Sequence, residues 1–251
     1  MIDTKQLQQY IAKFPTNFAQ GMSQFTLVTK MISGLFRNQV LFVKGAKGNQ
    51  VSIGKTKHRS RIVIKFDKRA KGSRVVIGDN FNGNVNILVK GKNSTLYIGD
   101  DAVIKKSKFS LLRDDSLFAV GEHVGIRAGA NIKSYGQLVL GDDAMLSANI
   151  LIQEYDGHPI FDAEGNVLNQ RISGVFVGPH VWLCRDVKII KGVTIGKGSI
   201  IGAFSTLTKS VPSDAIAVGV PAKVVKEGGI YWARNHSEKE LAKAQAFYHM
   251  E

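Results

Sequence analysis

Cysteine is almost missing from this chain: Cys184 stands alone, so no internal disulfide framework exists and a reducing compartment fits. Long apolar runs are missing as well. No stretch approaches the roughly 18 apolar residues that a membrane-spanning helix needs. The opening residues, MIDTKQLQQYIAKF, lack the charged-then-apolar order of a secretion signal. These absences lead to the expectation of a cytoplasmic protein with no transmembrane segment, and they leave peripheral association with a membrane open. Acidic residues are also in short supply. Asp and Glu number 20 against 34 Lys and Arg, a net charge of +14, and such a surface attracts polyanions. The imbalance is concentrated in residues 44–74, KGAKGNQVSIGKTKHRSRIVIKFDKRAKGSR, where Asp67 is the single acid. Exposed aromatics do not interleave with these cations, which argues against a single-stranded nucleic acid as partner.

What the chain has in quantity is glycine, 26 residues, and a beat. Val177, Leu183, Ile189, Ile195, Ile201 and Leu207 recur every six residues, and Val181, Val187, Val193, Ser199, Ser205 and Val211 follow four places behind each of them. A helix face asks for spacings of three and four, and a lone strand asks for two. Upstream, VIGDNF, YIGDDA, AVGEHV, VLGDDA and FVGPHV repeat one form, with aliphatic residues at Ile77, Ile98, Val120, Leu140 and Val177. Three six-residue sides make one triangular coil of a parallel β-helix, a solenoid in which each coil buries its apolar side chains against its neighbours. The recurring aliphatic points inward. The smaller residue sits near a corner, and the glycine is expected to supply backbone freedom for the turn.

The fold is therefore expected to be mainly β, with a helical or irregular N-terminal segment over 1–38 interrupted at Pro15. A parallel β-helix follows over 39–228. The segment 229–251 ends in a helix whose capping box, Ser237 with Glu240, opens it and which caps the last coil. The beat is broken once. Leu140, Leu146 and Ile152 keep it, and Val177 resumes it after a long inserted loop at about 153–175 containing DGHPIFD. An insertion of this kind in an economical solenoid is a natural binding loop.

DGHPIFD, then VFVGPHVWLCRDVKIIKGVTIGKGSIIGAFSTLTKSVP, then AVGVPAKVVK resembles the hexapeptide-repeat acyltransferases. Within them the chain is similar to the maltose, galactoside and nodulation-type O-acetyltransferases and to the capsular polysialic acid O-acetyltransferases. The resemblance is close over 140–228, holds as repeats from about 75, and does not reach the first 70 residues. It implies a left-handed β-helix, usually assembled as a homotrimer, and transfer of an acetyl group from acetyl-CoA to a glycan hydroxyl without a metal. The hydroxyl needs a base that works near neutrality, and histidine is the side chain suited to that. The resemblance implies that His158 is this base, with Asp156, Glu154, Asp162 or a backbone carbonyl available to orient it. It implies that Trp182 lies beside acceptor and thioester, that Ala203 contacts the pantetheine arm, that Thr208 and Lys209 lie by the adenosine, and that Lys223 and Lys226, with Arg185 as a weaker candidate, meet the cofactor's phosphates.

Three departures stand out. Cys184 occupies a family glycine and reads as packing. Phe204 puts bulk into IGAFS where glycine is common. In GIRAGANIKS, Arg127 or Asn131 stands where the small-sugar enzymes carry an acceptor-binding Asn, and an Arg suits an acidic acceptor. The preferred acceptor is thus an anionic surface polysaccharide, with a small sugar as the alternative. A metal-dependent relative of the carbonic anhydrase kind is disfavoured, because His123 and His158 lack a third histidine at Ala163 and His180 falls in a turn. A non-catalytic basic solenoid explains the charge but leaves the GHP loop, Trp182 and the LTK segment without purpose.

Overall fold

The computed structural model describes residues 40–57, 59–169 and 171–250, so the helical segment expected before residue 39 lies outside the described residues. The chain winds about 8 turns of a solenoid whose strands pair in parallel from coil to coil. Three faces alternate along the sequence. The first holds Gly125–Ile126, Met145–Leu146, Trp182–Leu183, Ile200–Ile201 and Ile216–Gly219. The second runs from Val40–Lys44 through Arg61–Phe66, Asn131–Ser134, Leu151–Gln153 and Lys188–Ile190 to Thr206–Leu207. The third runs from Gln50–Ile53 through Leu117–Val120 and Gln137–Leu140 to Thr194–Ile195. Two long strands, Asn82–Val89 and Val103–Leu111, bend from the first face into the second and join them as one sheet.

The six-residue beat is the register of these ladders. On the third face Ile53, Ile77, Ile98, Val120, Leu140, Val177 and Ile195 stack one on the next in that order. On the second, Ile64, Ile87, Phe109, Ile132, Ile152, Ile189 and Leu207 do the same. Nearly all are fully buried, each contributing about 1.5–3 kcal/mol of apolar burial. The smaller series is buried too, with Val181, Val187, Val193, Ser199 and Ser205 all at 0% exposure. A corner leaves room for Val or Ser there.

The glycine after each aliphatic has a different reason from the one expected. Gly78, Gly99, Gly141, Gly178 and Gly196 are not among the residues with positive φ. They are required by close approach: a Cβ on Gly141 would lie 2.5 Å from the backbone carbon of Gly178, and one on Gly178 would lie 2.7 Å from the nitrogen of Lys197. At this corner successive coils touch backbone to backbone. The left-handed positions fall later in the turns, mostly on residues with short polar side chains such as Asn80, Asp101, Asp115, Asp143, Asn149, Asp186 and Asp214, the types that tolerate positive φ best. Phe204, at φ 61 and 67% exposed, is an exception. The Asp of the Gly-Asp pairs has its own task, since the Asp79 carboxylate accepts from Lys55 N at 2.7 Å, Asp100 from Asp79 N at 2.6 Å and Asp142 from Glu122 N at 2.9 Å.

The C-terminal helix, Glu238–Tyr248, begins as expected, with Ser237 Oγ accepting from Glu240 N. It does not cap the last coil. Lys243 reaches Asp143, and Lys197 Nζ donates to the carbonyls of Phe247 and Tyr248, so the helix lies back along the side of the solenoid. The last coil is covered instead by the antiparallel strand Ala222–Lys226 on Ile216–Gly219. Of its two charged partners, Lys197 lies one coil before the last and Asp143 lies farther upstream, so the helix is held against the side and not over the end.

Gly141→Ala is expected to lower stability by about 1–3 kcal/mol, read as a drop in thermal midpoint, whereas Gly165→Ala at the loop tip, where nothing lies within 4 Å, is expected to cost less despite its positive φ.

Candidate active site

The inserted loop leaves the solenoid at the corner between the second and third faces, directly after Gln153. Its stem is held on both sides. Tyr155 bridges Ile172 in antiparallel fashion, stacks on Tyr135 at 4.2 Å between ring centres, and takes a hydrogen bond from Arg171, whose guanidinium also lies over its ring. Glu154 is fully buried beneath. One of its oxygens, Oε1, accepts from Ser134 Oγ at 2.8 Å, Tyr135 N at 2.6 Å and Gly136 N at 2.5 Å. Burial pushes its pKa up against the pull of these donors. Farther out, Asp162 closes a turn by accepting from Glu164 N, Asn166 N and Asn166 Nδ2, and Phe161 bridges Val167.

His158 lies between stem and tip and is exposed. None of the three carboxylates expected to orient it does so. Glu154 is committed to the corner and Asp162 to its own turn. Asp156 takes Lys191 Nζ at 2.6 Å and Asn169 Nδ2 at 2.7 Å, and these bonds hold its pKa down. No described residue hydrogen-bonds the His158 ring. Its backbone is fixed instead by Asn169, a residue the sequence reading missed. The Asn169 amide donates to Asp156 Oδ2 and to the His158 carbonyl at 3.2 Å, and its oxygen accepts from Ile160 N at 2.7 Å. Nothing in the surrounding LNQ announces this, because the lacing forms only when the loop doubles back. Around the tip, Ile160, Phe161, Val167 and Leu168 are each more than half exposed.

Trp182 is on the outside of the first face, in register with Met145 and Ile200 and half-buried. Its indole N–H donates to Ser147 Oγ over a long 3.4 Å, and its ring lies 5.8 Å from that of Trp232. No hydrogen bond or ring contact joins Trp182 to His158 within one chain. The remaining candidates divide by position. Thr208 and Lys209 are exposed at the corner that carries the His158 loop, two coils on. Arg127, Arg185 and Ala203 are exposed at the corner between first and second faces, where Phe204 N donates to the Arg185 carbonyl. Asn131 opens a strand of the second face, and Lys223 and Lys226 are exposed on the terminal strand. Cys184 is half-buried with its thiol pKa raised by burial, which suits packing better than nucleophilic chemistry. Among the described residues no group of His, Cys, Asp and Glu could hold a metal ion.

The sequence also did not disclose the cluster that backs Trp182. His180, 2% exposed, is clasped between Asp143 Oδ2 at 2.7 Å and the Trp232 carbonyl at 2.8 Å, and its ring stacks between Trp232 and Phe247. Trp232 Nε1 donates to the His180 carbonyl at 2.7 Å. Arg234 and Lys243 both reach Asp143 Oδ1, at 3.0 and 2.6 Å. Burial would raise the Asp143 pKa, but the hydrogen bonds from His180 and Lys243 and the charge of Arg234 outweigh it and hold it at about 2. This cluster pins the C-terminal segment against the first face beside Trp182.

Asn169→Ala is expected to reduce turnover on the order of tenfold to a hundredfold by freeing the His158 backbone, with the thermal midpoint nearly unchanged. Asp143 carries the opposite signature. Its folded pKa lies below the unfolded value, so its stabilisation, about 2 kcal/mol, is present above about pH 4 and fades as pH falls toward 2. Urea melts of wild type and Asp143→Asn are expected to show a gap that is full near neutrality and narrows as the pH is lowered below about 4.

Comparison with known proteins places this arrangement. The family model described as bacterial transferase hexapeptide (six repeats) matches residues 174–209. The polysialic acid O-acetyltransferase of Neisseria meningitidis is 36% identical over 162 residues, which is 64% of this chain and 75% of that protein. The solved structure of the polysialic acid O-acetyltransferase OatWY superposes with a TM-score of 0.71 at 29% identity, covering 83% of this chain and 100% of that one. That of the polySia-specific acetyltransferase NeuO gives 0.70 at 26%, covering 84% and 95%. Against several other curated relatives the chain spans between 43 and 64% of the relative's length. No helix among the described residues is long and apolar enough to cross a membrane. The solenoid is thus the left-handed parallel β-helix of these acetyltransferases, and the chain belongs to the hexapeptide-repeat family that includes the polysialic acid O-acetyltransferases.

Proposed function

We propose that the protein is an O-acetyltransferase that moves an acetyl group from acetyl-CoA to a hydroxyl of an anionic capsular or other surface polysaccharide. The observation that carries this reading is the match to the meningococcal polysialic acid O-acetyltransferase, which runs over 64% of this chain and three-quarters of that protein. His158 is the general base. Its ring, which no described residue engages, is open to take the proton of the acceptor hydroxyl as the oxygen attacks the thioester carbonyl carbon. The C–O bond forms, the tetrahedral oxyanion collapses, the C–S bond breaks, and the protonated His158 returns its proton to the departing thiolate. The oxyanion needs a donor as well, and the N–H groups of Trp182 and Cys184 do not supply it, since they bond the carbonyls of Ser199 and Ile201 in the next coil.

The donor's phosphates are assigned to Lys223 and Lys226, with Arg185 as a further cation, and its pantetheine arm to the corner at Ala203. Thr208 and Lys209 belong to the adenosine end in this reading. Trp182 closes the site beside the acceptor, with Arg127 and Asn131 contacting the sugar. These groups stand on different parts of one prism, and in this reading a homotrimer brings them together: the loop seats its exposed Ile160, Phe161, Val167 and Leu168 on a neighbouring copy, so that His158 of one copy meets Trp182 of the next. A small sugar acceptor is the second reading, favoured only by the resemblance to the galactoside-type enzymes.

Free-thiol release from acetyl-CoA with a panel of acidic and neutral oligosaccharides tests the proposal. Wild type is expected to turn over with an acidic acceptor and His158→Ala to lose on the order of 10²–10⁴-fold. Turnover only with neutral disaccharides would sink the anionic acceptor, and full activity in His158→Ala would remove the base.

A further inference from the structure

Acidic side chains gather on one corner of the solenoid. The corner between third and first faces carries Asp79, Asp100, Glu122 and Asp142 on its turns. The second face lies across the prism from that corner, and it carries lysine. Lys44 is in register with Lys65, and the row continues through Leu88, Ser110 and Lys133 to Gln153. Beside it a second row sets Asn86, Lys108 and Asn131 in succession. Lys44, Lys65 and Lys108 are exposed and Lys133 half-buried. None of these four has an ion-pair partner among the described residues.

With strands about 4.8 Å apart, the row from Lys44 to Gln153 is about 24 Å long and runs parallel to the solenoid axis. Gln153 is the last residue before the loop that carries His158. We infer that this second face is the docking track for the anionic acceptor polymer, which lies across the strands from the first coils and delivers one sugar to His158. The inference deepens the acetyltransferase reading and rests on it.

The side chains interleaved with the lysines favour a glycan over a membrane. Asn86, Asn131 and Gln153 bring amides that both donate to and accept from hydroxyls, while lysines meet carboxylates as point charges on flexible stems. A polymer bearing both groups uses both kinds of contact. A lipid surface calls on cations together with large apolar side chains inserted among headgroups. From Lys65 to Gln153 the two rows offer the buried Val63 and the half-buried Leu88 and Leu151, none of them exposed, and the exposed Val40, Leu41 and Phe42 are confined to the first strand.

The test is fluorescence anisotropy of labelled polysialic acid oligomers, short and long, over a range of salt, with wild type and the triple variant Lys65→Gln, Lys108→Gln, Lys133→Gln. Wild type is expected to bind long oligomers more tightly than short ones. The triple variant is expected to lose on the order of tenfold or more, with a shallower dependence on salt, while its thermal midpoint and acetyl-CoA affinity match wild type. Glu122→Gln on the opposite corner is expected to change nothing. Unchanged affinity and salt dependence in the triple variant would overturn the track, as would lysine-dependent binding to phosphatidylserine vesicles in place of oligomers. Thiol release that persists beside unchanged oligomer binding defeats the track alone. Oligomer binding that needs the lysines, with no thiol release from any acceptor, keeps the track and defeats the acetyltransferase reading.

Discussion

Each coil of this protein is held to the next by parallel backbone hydrogen bonds, and almost everything else follows from keeping that stack in register. The ladders of Ile, Leu and Val fill the prism, but aliphatic side chains tolerate small shifts. The glycine corner does not. Where a Cβ on Gly99 would come within 2.7 Å of the Gly121 backbone, only glycine lets two coils meet. The Asp that follows then ties its carboxylate to an N–H one coil back, so close contact and hydrogen bond lie side by side on one edge.

A rigid prism makes the interruption informative. The loop at 154–174 leaves the ladders in register across it, and its stem is anchored by Glu154 below and by Tyr155, Arg171 and Ile172 above. It can therefore hold His158 out from the surface on a defined base. The C-terminal segment does the converse. It returns along the side of the solenoid and is locked by the buried Asp143, whose three cationic or imidazole partners come from two parts of the chain far apart in sequence. The two devices flank different faces, so within one chain the loop with His158 and the face with Trp182 stand apart.

The fold was legible because its period is unusual. Six-residue spacing of Val177 through Leu207 excludes a helix face and a lone strand, and the register pairs Leu183 with Ile201 and Ile189 with Leu207 as that spacing requires. His158 was legible as a candidate through its motif and its insertion. The reason for the glycines was misread, since sequence shows a turn residue but not what lies 2.5 Å from it in the next coil. The orientation of His158 was misread for a similar cause. Asp156, Glu154 and Asp162 are near it in sequence, yet each finds its partners elsewhere in space, and Asn169, eleven residues away, does the holding.

By itself the sequence determined the coil, its register, the inserted loop and the excess of positive charge, because all four are local or periodic and survive being read one residue at a time. Only the tertiary structure decided where the charge goes, since winding the chain sends Lys65, Lys108 and Lys133 to one face and Asp79, Asp100 and Glu122 to the opposite edge. It alone decided that His180, a turn residue in the repeat, becomes the buried hub that binds Asp143 to Trp232. Contacts between residues 37 and 52 positions apart depend on how many coils lie between them and how the tail returns, and no local pattern carries that information.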